Sequence, residues 1–308
     1  MLQSTPATNV RRQIQRDADL AEVPRRLAWA VFWLPLAGLA GLLLIAVIFR
    51  PAYDRLLQED YPVEWTQFDF CLFTCVVSAL AARRFHRQRQ IAIAVTLVLL
   101  CLGTFVLAGE EISWGQRILG IATPADLAGV NAQSEMNLHN VTVGFDVESM
   151  FSQISLLIGI VGVVVPLLTR CRPAVLTSTY WKTLSPPLFT APLFAMMIGY
   201  RIYRIFDSGE IPFVVRMQEW IEFCQYLGLV ITVTVIYLKV RATDEFTGTA
   251  GHPGHAGNPG RPTLPTPRSG VRDPLRTLTI ISSVIIAVTL VFAVLSALSG
   301  IRAGNAQS

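Results

Sequence analysis

Seven runs of apolar residues mark out the chain, at 27–49, 65–82, 91–109, 150–169, 184–200, 217–238 and 277–301, with charge, glycine or proline gathered between them. Roughly 17 to 25 such residues are what a helix needs to cross the hydrocarbon core. A helix also satisfies its own backbone there without a neighbour. The pattern predicts an all-α integral membrane bundle of seven transmembrane helices. Two runs are interrupted by acids: the second holds Asp69, and the sixth holds Glu219 and Glu222. Ionisable side chains within spans face the bundle interior or a wet cavity, so these positions should mark inward stripes.

Composition agrees, with 52% hydrophobic and 15% charged residues against about 25% charged in soluble domains. Of the 25 Lys and Arg residues, 18 lie in the N-terminal segment, at 83–89, at 170–182 and at 239–276. The positive-inside rule then orients the chain N-in and C-out. Fifteen of the 21 acids fall on the opposite side. The net charge of +4 thus conceals a basic inner face and an acidic outer one, and argues for no nucleic acid partner. The first run is too long for a signal-peptide core, and FRPAYDR after it lacks a small-residue cleavage pattern, which reads as an uncleaved anchor. Cys71, Cys75, Cys101 and Cys224 lie in spans and Cys171 at the cytoplasmic edge, leaving no external disulfide pair. The expected organisation is a cytoplasmic segment (1–26), a six-helix membrane domain (27–238) with a structured outer loop (110–148), a flexible Gly/Pro-rich cytoplasmic linker (239–276), and a seventh helix with a short tail (277–308).

The chemistry concentrates at the outer boundary. Glu110 and Glu111 end the third run inside GEEISWGQRILG, and NAQSEMNLHN follows at 131–140. Glu219 and Glu222 share a face at i, i+3 near the start of the sixth helix, with Gln225 expected to extend it inward, and Arg201 and Arg204 do the same at the end of the fifth. Glu64 and Asp69 begin the second helix at a similar depth. Convergence on one pocket makes Glu110, Glu111, His139, Glu219 and Glu222 candidate acids, bases or metal ligands. Glu111, His139 and Glu222 form a candidate set for a divalent cation. Trp114, Gln116, Arg117, Asn137, Asn140, Arg201 and Arg204 are candidate substrate contacts, because arginine forks suit a phosphate and asparagines suit a polar headgroup. Asn131 and Gln133 belong to the same polar loop, in which Thr123-Pro124 predicts a short helix at 124–129. Arg201 and Arg204 could equally neutralise Glu219 or Glu222 in structural ion pairs.

The stretch AGEEISWGQRILG with NxQxExNLHN, at 108–120 and 131–140, resembles a family of uncharacterised bacterial polytopic membrane proteins. That resemblance implies a bacterial cell (inner) membrane protein, multi-pass, with no established activity. A fainter similarity is to CAAX-type intramembrane proteases, which pair Glu-Glu with later histidine motifs. Here Arg117 falls six residues after Glu111 rather than four, and no HxxxN occurs. No GxSxG, HExxH, Walker or GxGxxG pattern is present. Three function classes remain: an outer-leaflet enzyme acting on a lipid or lipid-linked substrate, a non-catalytic scaffold or sensor, and a proton- or cation-coupled transporter. The last expects a polar path leading inward from the carboxylates.

Overall fold

Proline and glycine set where the helices start and stop. The computed structural model describes residues 6–57, 62–119, 121, 123–124, 147–206, 212–249 and 274–306, the side chains at 6–9, 117, 212–213, 243–249, 274–275, 293 and 295–306 excepted. Within those residues the chain is all-α: α1 (Pro6–Leu20), α2 (Arg25–Ile48), α3 (Arg50–Leu56), α4 (Pro62–Arg87), α5 (Ile91–Glu111), α6 (Gln116–Leu119), α7 (Val147–Cys171), α8 (Thr179–Leu184), α9 (Ala191–Phe206), α10 (Pro212–Thr249) and α11 (Pro274–Ala306). Three-residue 3₁₀ turns, Ser113–Gly115 and Leu188–Thr190, precede α6 and α9. Pro62, Pro212 and Pro274 each open a helix, where a missing N–H costs nothing.

Five helices are long and apolar enough to cross a membrane: Arg25–Ile48, Pro62–Arg87, Ile91–Glu111, Val147–Cys171 and Val214–Ala242 within α10. The fifth expected run, 184–200, yields something shorter. Pro186 and Pro187 bar a helix from continuing out of α8, so α9 starts at Ala191 and has 16 residues, about 24 Å of rise. The seventh run lies in α11, whose apolar described stretch is Arg276–Phe292. α10 runs on past the end of its apolar run to Thr249, so the linker expected from residue 239 begins as helix.

The bundle centres on α4, α5 and α10. α4 packs along both α5 and α10, α9 lies between α7 and α10, and α11 covers α4 and α6. Phe194 of α9 is the central wedge. Its ring presses on Gly162 of α7 and Gly228 of α10, where an added Cβ would stand 2.2 and 2.8 Å from ring atoms. Small residues that let helices close in are how apolar helices pack when lipid is as greasy as leucine. On α2, Trp220 of α10 donates its indole N–H to the Pro35 carbonyl at 3.2 Å.

The N-terminal segment is not a loose tail. α1 buries Ile14 and Ala18 against Leu188, Phe189 and Val235. Asp17, 4% exposed, accepts from Arg170 Nε at 2.9 Å and from the Leu188 backbone N–H at 2.5 Å. Arg170 also donates to Thr169 and Ser185. This network joins α1, α7 and the Leu188–Thr190 turn at one end of the bundle; the glutamates gather at the other.

Candidate functional site

At the carboxylate end α5 finishes at Glu111 and the chain doubles back. Ser113, Trp114 and Gly115 occupy the left-handed region in succession, at φ 46°, 53° and 78°. For the two non-glycine residues this conformation costs of order 1 kcal/mol or more each. Contacts of Trp114 offset it. Gly109 leaves room for the indole, which would lie 2.9 Å from a Cβ there. The indole Nε1 donates to Glu110 Oε1 at 2.6 Å. Its edge meets Phe105 with centroids 6.2 Å apart. GEEISWG is therefore a folded-back cap in which Glu110, 5% exposed, holds the tryptophan.

Glu111 is turned about 100° from Glu110 around the helix and looks across to α10. Tyr226, buried, donates its hydroxyl to Glu111 Oε1 at 3.2 Å. Glu222, Glu219 and Glu64 all lie within electrostatic reach of Glu111. Three of the expected helices thus do converge, through Glu64 of α4, Glu111 of α5, and Glu219 with Glu222 of α10. A relay extends the site to α9: Tyr200 donates to Gln218 Oε1 at 2.9 Å, and Gln218 Nε2 donates to Glu222 Oε1 at 2.7 Å.

Other expected members stand elsewhere. Asp69 faces α11, where Thr289 donates to its carboxylate. Gln225 does not prolong the glutamate stripe; it turns to α7 and donates to the Ser155 carbonyl at 2.7 Å. The stripe is instead Gln218, Glu222 and Tyr226, spaced i, i+4, i+8. Gln116 braces the chain beyond α6, donating to Thr123 Oγ1 at 2.6 Å. Arg201 lies over the Tyr200 ring, 5.4 Å from its centroid, with a buried Nε that has no hydrogen-bond partner among the described residues. Among those residues no ion pair joins Arg201 or Arg204 to Glu219 or Glu222. Both arginines, Glu222 and Glu148 lie within electrostatic reach of Tyr200. Arg117 belongs to α6, its side chain outside the described set, and His139, Asn131, Gln133, Asn137, Asn140 and all but the first residue of the helix expected at 124–129 fall outside the described residues. Among the described residues no three His, Cys, Asp or Glu side chains are grouped to hold a metal ion.

A crevice of about 360 Å³ opens beside the carboxylates. α5 supplies Leu99, Gly103 and Leu107, α7 supplies Met150 and Ile154, and α10 forms the floor with Gln225, Tyr226 and Leu229. α5 and α7 make little contact with each other, so the walls are two apolar helices held apart. Tyr226 belongs both to this floor and to the Glu111 hydrogen bond. Neither that tyrosine nor Gln218 stood out in the sequence, although their four-residue spacing from Glu222 is the signal that would have found them. No family model, curated protein or solved structure matches the chain.

Proposed function

We propose that this chain is a multi-pass protein of the bacterial cell (inner) membrane, with seven spans and N-in, C-out topology, and that it is an enzyme acting at the outer leaflet on a lipid or lipid-linked substrate. The observation that carries the reading is the shared tyrosine. An apolar crevice between two poorly packed helices suits an acyl or prenyl chain, and its polar floor leads through Tyr226 to the Glu111 carboxylate. Pockets of about 300 Å³ upward, mostly apolar with a few placed polar groups, are the usual form of a small-molecule site.

In this reading Glu111 and Glu222 divide the base and acid roles, as neighbouring carboxylates in different surroundings do. Tyr226 orients Glu111, and Gln218 with Tyr200 orients Glu222. Arg201 and Arg204 stand ready for the anionic part of a headgroup. His139 and the asparagines of 131–140 are further proposed headgroup contacts, and Glu111, His139 and Glu222 the proposed ligands of a divalent metal ion. Glu110 holds Trp114 and takes no part in the chemistry.

Lipid profiling of a strain lacking the gene, complemented with the wild type or with Glu111→Gln, tests this. A lipid or lipid-linked species that changes on deletion, recovers with the wild type and fails to recover with Glu111→Gln is expected. An unchanged profile, or full rescue by Glu111→Gln, overturns the proposal.

A further inference from the structure

Three buried threonines outside α4 satisfy their hydroxyls within their own helices, and two buried hydroxyls of α4 do not. Thr104, Thr169 and Thr232 each return Oγ1 to the carbonyl four residues earlier, the ordinary way a helix satisfies a hydroxyl. Thr74 and Ser78 do not. Their hydroxyl oxygens are buried without a partner among the described residues, and so is Oε1 of Gln67. All three residues are at most 1% exposed. At 100° and 1.5 Å per residue they fall within about 40° of one another and spread along about 16 Å of helix.

The direction of this stripe is set by Gln67, whose amide donates to the Glu219 carbonyl of α10 at 2.7 Å. Cys71 lies on the same face and is within electrostatic reach of Glu111 and Glu222. The stripe therefore starts at the carboxylate site. It ends at Ala81 and Phe85, which pack with Val233, Ile236 and Val240 in a buried apolar layer.

Each unsatisfied buried polar atom is destabilising, and three on one face call for a common partner. A single cation cannot serve them, because metal–oxygen bonds of about 2.5 Å do not bridge a stripe of about 16 Å. Water does, by linking successive groups. We propose that the α4 face at Gln67, Thr74 and Ser78 binds an enclosed file of water that begins at the Glu111 carboxylates and ends blind at the apolar layer. The file hydrates the carboxylates from within the bundle, and along this seam no polar route continues to the opposite end. It stands whether or not the site turns a lipid over.

Cysteine accessibility tests it on the full chain in sealed vesicles, with the five native cysteines replaced by alanine. Thr74→Cys and Ser78→Cys are exposed to silver ion from the carboxylate side, and reaction is read as loss of maleimide labelling after unfolding. Val77→Cys is the control: Val77 is 0% exposed but points about 100° away from Ser78. Thiols react as thiolates, which form in contact with water, so the two test positions should react at least about tenfold faster than the control. Rates within tenfold of the control, or equal reaction from the opposite side, overturn the proposal. If a cysteine variant fails to fold, Thr74→Val and Ser78→Ala decide. A dry, unsatisfied hydroxyl is relieved by these changes and melting temperature rises, which refutes the file; unchanged or lowered melting supports it. Lipid profiling reads neither result, so this proposal and the enzymatic one fail separately.

Discussion

Replacing Gly162 by alanine should be among the most damaging small changes available in the bundle. The new Cβ would stand 2.2 Å from Phe194 Cγ, whereas carbon atoms rest about 3.5–4.0 Å apart. The ring must retreat by more than about 1 Å to restore contact. It cannot retreat toward α10, where Gly228 is itself in tight contact with the far end of the ring, nor into lipid, because Phe194 is 1% exposed. Overpacking of this kind costs about 1–3 kcal/mol, and the closed far side puts the expected value near about 3 kcal/mol. Phe194→Ala alone should cost about 3–5 kcal/mol through the cavity it leaves. The double variant is the informative one, because the alanine methyl then sits in space the ring vacated. Reversible unfolding in mixed detergent should show a double-variant cost smaller than the sum of the singles by about 1–3 kcal/mol. Strictly additive costs would refute the wedge, and with it the account of how α7 and α10 are spaced beneath the crevice.

Other outcomes follow from individual groups. Asp17→Asn removes the carboxylate that receives Arg170 and the Leu188 N–H, and should lower stability by about 3–5 kcal/mol in thermal melts because a largely buried arginine loses its counter-charge. Trp114→Phe keeps an aromatic ring, though a smaller one, and removes the donor to Glu110; a loss of about 1–3 kcal/mol is expected, together with faster proteolysis at 113–119. Cys75 and Cys101 have sulfurs 3.3 Å apart, so a mild oxidant should join α4 to α5, seen by intact mass as the loss of two hydrogens and abolished by Cys101→Ala. Burial pushes the Tyr53 hydroxyl up to about 12. A raised folded-state value favours the neutral phenol, so this contribution is complete below pH 10 and is lost as pH climbs from about 10 to 12. Tyr53→Phe should flatten melting temperature between pH 9 and 11, and an unchanged slope would rule the linkage out.

Apolar runs locate long helices well because a span is decided by one local property, the cost of exposing backbone and polar groups to lipid. Five runs became helices of crossing length on that ground. The failures sit where another force decides. At 184–200 hydropathy is satisfied, yet Pro186 and Pro187 remove the donors a helix needs, and only α9 is helical at length. α1 has too few apolar residues to signal a span, and its docking depends on Asp17 meeting Arg170, a pairing between residues 153 apart in sequence. The reversal at Ser113–Gly115 is legible only in part. Gly115 suggests a turn, but nothing local says that Ser113 and Trp114 will also adopt positive φ; the indole bond to Glu110 decides that.

The adjacent glutamates show where sequence patterns stop being informative about chemistry. Glu110 and Glu111 look equivalent as letters, and a boundary carboxylate pair invites a shared role. A helix places neighbours about 100° apart, so two adjacent side chains at the end of α5 must meet different surroundings. One meets the returning Trp114 and the other meets Tyr226, with Glu222, Glu219 and Glu64 behind it. Gln218, Glu222 and Tyr226, spaced by four, work as a set, while Gln225, about 100° around the helix from Tyr226, serves α7. The same geometry makes the cap and the site interdependent. Because Glu110 is fixed by Trp114, the last turn of α5 cannot rotate without breaking that bond, and Glu111 is held toward α10 by its neighbour's structural role. Loosening the cap should therefore disturb the Glu111–Tyr226 contact before it unfolds the bundle, whereas removing Tyr226 should leave the cap intact.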